Sequence, residues 1–156
     1  MIAYIGIGSN MGNRELNLQK AEQELSILPN TKLLRSSKII ETKPYGYKYQ
    51  SDFLNQVIEL ETELDEMMLL HHCHKIEKIL KRERSRKWGP RTVDLDILFY
   101  GKKVIINEEI KIPHPELHKR LFVLESLNEL IPEMIHPRLG LSINEIYKII
   151  KAGKVI

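Results

Sequence analysis

The stretch Thr92-Val-Asp-Leu-Asp-Ile-Leu-Phe-Tyr100 decides the fold prediction, because apolar side chains alternate with others along it. Successive side chains of a β-strand point to opposite faces of the sheet. One predicted face carries Val93, Leu95, Ile97 and Phe99. The other face carries Asp94, Asp96 and Leu98. The pattern therefore predicts a half-buried strand from which two carboxylates leave on the same side.

Apolar spacing on either side of this stretch predicts the remaining elements. The predicted strands are residues 2–7, 32–42, 53–63 and 92–100, followed by a short hairpin around Gly101. The predicted helices begin at Asn13, after Asp65, near residue 117 and at about Ser142. The helix after Asp65 has an apolar stripe of Leu69, Cys73, Ile76 and Leu80. The order β-α-β-β-α-β, with helical additions, predicts an α+β sandwich with helices packed on a largely antiparallel sheet.

Composition narrows the class of protein. A chain of 156 residues, 42% hydrophobic and 29% charged, suits one globular domain over residues 1–156. Its single cysteine cannot form an internal disulfide, and no apolar run approaches the roughly 20 residues of a membrane span. The net charge of +3 is small for a dedicated nucleic-acid binder. We expect a cytoplasmic monomer that acts on small molecules, without nucleic acid or membrane.

The paired carboxylates Asp94 and Asp96 are the strongest functional signal. Residues i and i+2 of a strand share a face, with roots roughly 6.5–7 Å apart. A polar outer face would explain an isolated Asp-x-Asp. Asp is disfavoured in strands, however, and two like charges on one face repel unless a cation lies between them. Mg²⁺ is held by one or two carboxylates together with substrate phosphates, so the pair predicts a magnesium site.

A basic stretch, residues 78–91, runs directly into this strand. Its arginines include Arg82, Arg84 and Arg91, whose planar groups match phosphate oxygens. Such a patch in a nearly balanced chain predicts a compact polyanion such as a nucleoside triphosphate. Two alternatives remain: a nucleic-acid-binding module with Trp88 as a stacking platform, and a two-metal nuclease using Asp94 and Asp96.

Three weaker patterns accompany these signals. Phe53 and Asn55 share a strand face, where an aromatic ring beside an amide suits a flat heterocycle. His74 and Glu77 share a helix face beside the basic stretch, and His114 stands between two prolines. Each of these also fits an ordinary structural role. Gly6-x-Gly8-x-x-x-Gly12 fits no nucleotide-binding fingerprint, so we interpret it as a tight strand-to-helix turn that needs glycine's backbone freedom.

Taken together, the chain resembles the 6-hydroxymethyl-7,8-dihydropterin pyrophosphokinases of the folate pathway. The matching segments run in family order and are residues 4–12, 41–46, 53–55, 82–84, 88–96, 113–115 and 120–122. The most specific of them is Trp88-Gly-Pro-Arg-Thr-Val-Asp-Leu-Asp96.

The resemblance implies a ferredoxin-like α+β fold and transfer of the pyrophosphoryl group of ATP to a pterin alcohol, releasing AMP. It places two Mg²⁺ ions on Asp94 and Asp96, with Arg82 and Arg91 neutralising the phosphates. The residues expected around ATP are His74, Glu77, Arg84, Trp88, His114 and Arg120. Those expected around the pterin are Phe53 and Phe122 as stacking rings, Asn55, and the loop backbone at Thr42 and Gly46.

Overall fold

The computed structural model describes residues 1–43, 52–81 and 92–156. Its strands are β1 (Ile2–Ser9), β2 (Thr31–Ser36), β3 (Ile40–Thr42), β4 (Phe53–Thr62), β5 (Asp94–Tyr100), β6 (Ile105–Ile106) and β7 (Lys111–Ile112). Its helices are α1 (Arg14–Ser26), α2 (Glu66–Lys81), α3 (Leu121–Leu130) and α4 (Ile143–Lys151), with a 3₁₀ turn at Leu117–Lys119. The predicted order of alternating strands and helices is confirmed.

Side-chain caps fix where the helices begin. The Asn13 side chain accepts a hydrogen bond from the backbone N–H of Leu16 at 3.1 Å, as a helix N-cap does. Asp65 accepts from the backbone N–H of Met68 at 2.8 Å in the first turn of α2. At α4, Ser142 and Glu145 form a reciprocal capping box. The helix starts predicted at these three positions are therefore confirmed.

The main sheet is antiparallel in every described pairing, with strand order β2-β4-β1-β5 and β3 beside β4. The central strand β1 pairs with β4 along its whole length, from Ile2 opposite Glu61 to Ser9 opposite Leu54. On its other edge β1 pairs with β5. Two neighbours thus hold β1 in one register, and a one-residue slip would turn its buried side chains to the opposite face.

Helices pack on both faces of this sheet. On one face, α1 and α2 bury the predicted apolar stripe of Leu69, Cys73, Ile76 and Leu80 in a core that includes Ile5, Leu18 and Leu25. On the other face, α3 and α4 pack over Tyr4 and Phe99 through Leu127 and Ile143. The predicted α+β sandwich is confirmed. The second pair of helices covers the Tyr4 end of its face, whereas a cavity adjoins the end that carries Gly6 and Gly8.

The predicted face for Phe99 was wrong. The register between β1 and β5 shifts between Tyr4 and Ile5, so Tyr4 lies opposite Phe99 and Ile5 opposite Ile97. Leu98 is the extra residue of a β-bulge, and bulges interrupt the simple alternation of faces. As a result Phe99 packs with Tyr4 under α3 and α4, edge-to-face at 6.4 Å between ring centroids.

Three expected boundaries also differ. The strand expected over residues 32–42 is two strands, because Ser37 turns inward and its hydroxyl accepts from the backbone N–H of Val57 at 2.9 Å. The hairpin expected around Gly101 lies further on, where β6 pairs with β7, and Gly101 itself forms a turn with φ of +55°. The helix expected from residue 117 is interrupted at Arg120, whose backbone is extended.

No helix within the described ranges is both long enough and apolar enough to cross a membrane.

The loop before α4 is built around a buried histidine. The His136 ring is only 3% exposed and packs against Phe99 at 5.5 Å between ring centroids. Its Nδ1 accepts hydrogen bonds from the backbone N–H groups of Arg138 and Leu139 at 3.1 and 3.2 Å. Burial, followed by the nearby His118 and Arg138, lowers the pKa of His136 to about 4. The fold therefore requires the neutral ring.

Because His136 is buried as the neutral ring, we expect the folded protein to lose stability in acid. The unfolded chain binds the His136 proton near pH 6.5, whereas the folded chain binds it only near pH 4. The free energy of unfolding should therefore fall as the pH drops through this window, by up to about 3 kcal/mol from this group alone. Urea titrations at pH 7 and pH 4.5 measure the fall. A His136→Gln variant, which cannot titrate, should show a shallower fall, and an identical fall in both proteins would contradict the assignment.

Candidate active site

Strand register assembles the candidate site on one face of the sheet. Gly8 of β1 lies between Asn55 of β4 and Asp94 of β5. Two residues away, Gly6 lies between Val57 and Asp96 in the same way. The two glycines thus form a floor without side chains, with carboxylates on one side and an amide on the other. Neighbouring strands are about 4.8 Å apart, so β4 and β5 are separated by about 10 Å across this floor.

Gly6 lies in the strand predicted over residues 2–7, whereas the interpretation of Gly8 as a turn residue was wrong. Both lie inside β1, which continues to Ser9, and only Gly12 of the three has the left-handed backbone of a turn, with φ of +69°. The sequence pattern could not separate the two uses of glycine, because both place it near the end of a strand.

A cavity of about 330 Å³ stands on this floor. Its walls come from β3, β4, β5 and the start of α3. Seven predicted site residues line it together, namely Thr42, Phe53, Asn55, Asp94, Asp96, Arg120 and Phe122. The half-buried rings of Phe53 and Phe122 contribute to its apolar surface, together with Ile7, Val57, Leu98 and Val123. The structure therefore brings together the residues expected for a flat heterocycle and those expected for a metal ion.

The Asn55 amide has a defined direction. Its Nδ2 donates to Thr42 Oγ1 at 2.8 Å and lies 3.4 Å from the carbonyl oxygen of Ile40. A backbone carbonyl can only accept, so the amide nitrogen must be the atom on that side. The Asn55 Oδ1 atom consequently faces Gly8 and offers an acceptor to the cavity. The side-chain hydroxyl of Thr42 thus orients the amide, and the expected contact of its backbone with the heterocycle stays a prediction.

A second cavity, of about 240 Å³, lies along the outer edge of β5. Two predicted ATP residues, His74 and His114, line it. The β6–β7 hairpin contributes Glu108, Glu109 and Lys111, which sequence reasoning missed because nothing in their spacing marks a site. Asp96 lines both cavities. A ligand in either cavity therefore approaches the same carboxylate.

The imidazole of His114 is held beside Asp96. Its Nδ1 accepts from the backbone N–H of Glu116 at 3.1 Å, so the neutral ring carries its proton on Nε2. The His114 backbone N–H donates to the carbonyl of Leu98 at 3.0 Å, which ties this segment to β5. Burial lowers the pKa of His114, opposed by the negative charge of Asp96 and reinforced by Arg120. Two of the charges that act on this ring, Asp96 and Arg120, are thus other predicted site residues, and Glu116 is the third.

Glu77 contacts the strand that carries the carboxylates. Its Oε2 accepts from the backbone N–H of Leu95 at 2.9 Å, and Leu95 lies between Asp94 and Asp96. A carboxylate of α2 thus holds the outer edge of β5 where the two aspartates emerge. The contact of Glu77 with ATP that the family resemblance implies stays a prediction.

Arg14 is a further residue beside the site that no sequence pattern marks. Its Nη1 donates to the Glu41 carboxylate at 2.7 Å and to the backbone carbonyl of Asp52 at 2.8 Å. Glu41 precedes Thr42, and Asp52 precedes Phe53. One guanidinium at the start of α1 therefore links the two strands beside the cavity.

Five predicted site residues lie outside the described part of the chain, and their roles stay predictions: Arg82, Arg84, Trp88, Arg91 and Gly46.

Comparison with known proteins agrees with this geometry. The family model for 7,8-dihydro-6-hydroxymethylpterin-pyrophosphokinase (HPPK) matches residues 4–132. The chain belongs to the HPPK family. The family's activity is pyrophosphoryl transfer to 6-hydroxymethyl-7,8-dihydropterin in folate biosynthesis.

Two relatives carry the corresponding name, 2-amino-4-hydroxy-6-hydroxymethyldihydropteridine pyrophosphokinase. The protein of Haemophilus influenzae is 42% identical over 135 residues, which cover 86% of this chain and 84% of that protein. The protein of Bacillus subtilis is 42% identical over 133 residues, covering 85% and 80%. Both matches include most of each chain.

Solved structures support the fold. A Plasmodium falciparum HPPK-DHPS structure superposes with a TM-score of 0.76 at 17% identity, covering 94% of this chain and 45% of that one. At this identity the likeness concerns the fold alone, and this chain spans less than half of that protein. The ferredoxin-like α+β fold expected of the family is confirmed.

The Glu77 contact predicts an effect at the magnesium site that we expect on Asp94 and Asp96. Glu77→Ala removes the acceptor for the Leu95 N–H, which costs about 1–3 kcal/mol locally and loosens the strand between the aspartates. Turnover should fall about tenfold, and half-maximal rate should need more Mg²⁺. Glu77→Gln keeps an acceptor oxygen and should lose less. Rates measured over a Mg²⁺ series test this, with the exposed Glu63→Ala as a control, and a Glu77→Ala curve that matches the wild type would contradict it.

Proposed function

We propose that the chain is an ATP- and Mg²⁺-dependent pyrophosphokinase whose two substrates meet at Asp96. The main support for this proposal is that Asp96 lines both cavities. The first cavity has a floor without side chains between Asn55 and Asp94, and the second lies along the edge of β5. Transfer between two substrates requires their reacting atoms to be held together. A carboxylate shared by two adjoining cavities supports such an arrangement.

The pterin would occupy the cavity above Gly8. Its flat ring would stack between Phe53 and Phe122, and an N–H on its edge would donate to Asn55 Oδ1. This pose directs the opposite end of the heterocycle, with its hydroxymethyl group, across the floor towards Asp94 and Asp96. The separation of about 10 Å between β4 and β5 suits a bicyclic ring with one substituent. Gly46, outside the described residues, is proposed to add a backbone contact to the ring edge.

The carboxylates of Asp94 and Asp96 fit magnesium. Their oxygens are hard donors, they leave one strand on the same face, and Asp96 is exposed to both cavities. Within residues 1–43, 52–81 and 92–156, no group of three His, Cys, Asp or Glu side chains could hold a metal ion. We propose that these two side chains hold two Mg²⁺ ions together with phosphate oxygens. Such ions would supply charge neutralisation and polarisation of the β-phosphate.

The remaining predicted site residues would position ATP and neutralise the negative charge of its phosphates. His74 and His114 line the second cavity, where the nucleotide is proposed to lie, and Arg120 lines the first. Arg84 and Trp88 are proposed to contact ATP, and Arg82 and Arg91 to neutralise its phosphates.

The proposed reaction is a single in-line displacement. The hydroxymethyl oxygen of the pterin forms a bond to the β-phosphorus of ATP. The bond between that phosphorus and the oxygen bridging to the α-phosphate breaks, and AMP leaves with that oxygen. The hydroxyl proton is lost to solvent or to a nearby carboxylate. No covalent enzyme intermediate is required.

An assay of AMP release tests the proposed function. Enzyme, ATP, Mg²⁺ and 6-hydroxymethyl-7,8-dihydropterin should give AMP that depends on each component. A nucleic-acid-binding module would instead bind an oligonucleotide without Mg²⁺, in a manner sensitive to salt. A two-metal nuclease would cleave a phosphodiester and ignore the pterin. Absence of pterin-dependent AMP would refute the proposal.

Asp96 should be essential for turnover but not for folding. Asp96→Ala leaves the nucleotide and the pterin without their shared carboxylate, and the rate of AMP release should fall roughly a thousandfold. Because Asp96 is exposed, its removal should leave the melting temperature within a few degrees of the wild type, about 0.5 kcal/mol or less in stability. Glu61→Gln, another exposed carboxylate on a strand, is the matched control and should retain activity. Near-normal turnover in Asp96→Ala would count against this role.

A further inference from the structure

Gly8 occupies a position where the backbone does not need glycine. It lies in the interior of β1, paired with Asn55 on one side and Asp94 on the other. Any residue can adopt the extended backbone of a strand, and a glycine in a strand interior weakens it. The use of glycine here therefore concerns the space above it.

A side chain at Gly8 would meet the Asn55 amide. A β-carbon built there lies 3.2 Å from Asn55 Oδ1 and 3.7 Å from Phe53 Cδ1. The first distance is shorter than an ordinary contact, so the amide oxygen would have to move. A β-carbon built at Gly6 has only Leu98 side-chain atoms as its nearest neighbours, at 3.5 to 3.6 Å, which is an ordinary van der Waals contact. A side chain at position 8 would therefore crowd the Asn55 amide, whereas a side chain at position 6 would not.

The amide has little room to yield. Its Nδ2 is held by Thr42 Oγ1 at 2.8 Å and lies beside the Ile40 carbonyl. Rotation of the amide away from Gly8 would disturb the bond to Thr42. A methyl group at position 8 would therefore displace the acceptor oxygen or break the contact that orients it.

We propose that Gly8 is a positioning residue for heterocycle recognition: its missing side chain keeps Asn55 Oδ1 at the height where it accepts from the edge of a flat N–H-bearing ring. This inference rests on the proposed function, because it takes the heterocycle to be the pterin. It adds a residue that does not itself bond to the substrate and acts through Asn55.

The test compares Gly8→Ala with Gly6→Ala by calorimetric titration of 6-hydroxymethyl-7,8-dihydropterin in the presence of a non-hydrolysable ATP analogue and Mg²⁺. Gly8→Ala should weaken pterin binding about tenfold, the effect of one misaligned hydrogen bond in a closed site. It should raise KM for the pterin more than it lowers kcat, and leave ATP-analogue binding unchanged. Gly6→Ala should have the smaller effect. Thermal melts should show Gly8→Ala folded, because its extended backbone accepts alanine and the crowding is confined to the Asn55 amide.

A double-mutant cycle separates action through Asn55 from blockage of the ring. Asn55→Ala alone should weaken pterin binding. Adding Gly8→Ala to it should change the affinity by less than about twofold, because the crowded oxygen is already gone. If Gly8→Ala alone proved unfolded, the double variant should regain the fold, and a double variant that stays unfolded would overturn the proposal.

The outcomes distinguish this inference from the proposed function. If the wild type does not bind the pterin, the proposed function fails. If the wild type binds and Gly8→Ala binds equally well, the proposed function stands and the role of Gly8 is overturned. Equal losses from Gly8→Ala with and without Asn55 would also overturn positioning through the amide.

Discussion

The antiparallel register of three strands is the constraint on which the rest of this structure depends. β1 pairs with β4 and β5 at once, so the residues opposite Gly6 and Gly8 are fixed on both sides. A slip of β1 by one residue would turn both glycines to the face packed by α1 and α2. Burial of Ala3, Ile5 and Ile7 in that core opposes such a slip. The hydrophobic core and the geometry of the site are therefore set by the same pairing.

The bulge at Leu98 explains why one face of the sheet can be both core and site. Before the bulge, Asp94 and Asp96 face the cavity, and after it Phe99 packs under α3 and α4. The extra residue lets strand β5 change from a polar edge of the site to a buried strand within a few residues. Tyr4, opposite Phe99, donates to Glu59 at 2.6 Å, and Glu59 pairs with Arg35 at 2.8 Å. This chain of contacts links β1, β4 and β2 on the same face of the sheet, next to the Gly6 end of the cavity floor.

Most of the strands and helices could be predicted from the sequence, because each is marked by the spacing of residues within a short segment. Alternation predicted the strand of Asp94 and Asp96, and apolar spacing with N-cap residues predicted α1, α2 and α4. Four features could not be predicted from the sequence. They are the role of Gly8, the orientation of Asn55 by Thr42, the contact of Glu77 with Leu95 and the bulge at Leu98. Each depends on which residues lie opposite one another in the folded sheet, and a linear pattern does not contain that information. The same holds for Glu108 and Glu109, which reach a cavity only because the β6–β7 hairpin lies beside β5.

In the proposed reaction, a pterin and the phosphates of ATP meet at Asp96, beside the floor formed by Gly6 and Gly8. A crystal structure with a non-hydrolysable ATP analogue, Mg²⁺ and 6-hydroxymethyl-7,8-dihydropterin is the decisive measurement. We expect the pterin ring over Gly8 with an edge N–H donating to Asn55 Oδ1, and magnesium between phosphate oxygens and the carboxylates of Asp94 and Asp96. A pterin bound away from Gly8, or phosphates bound with both carboxylates free of metal, would contradict it.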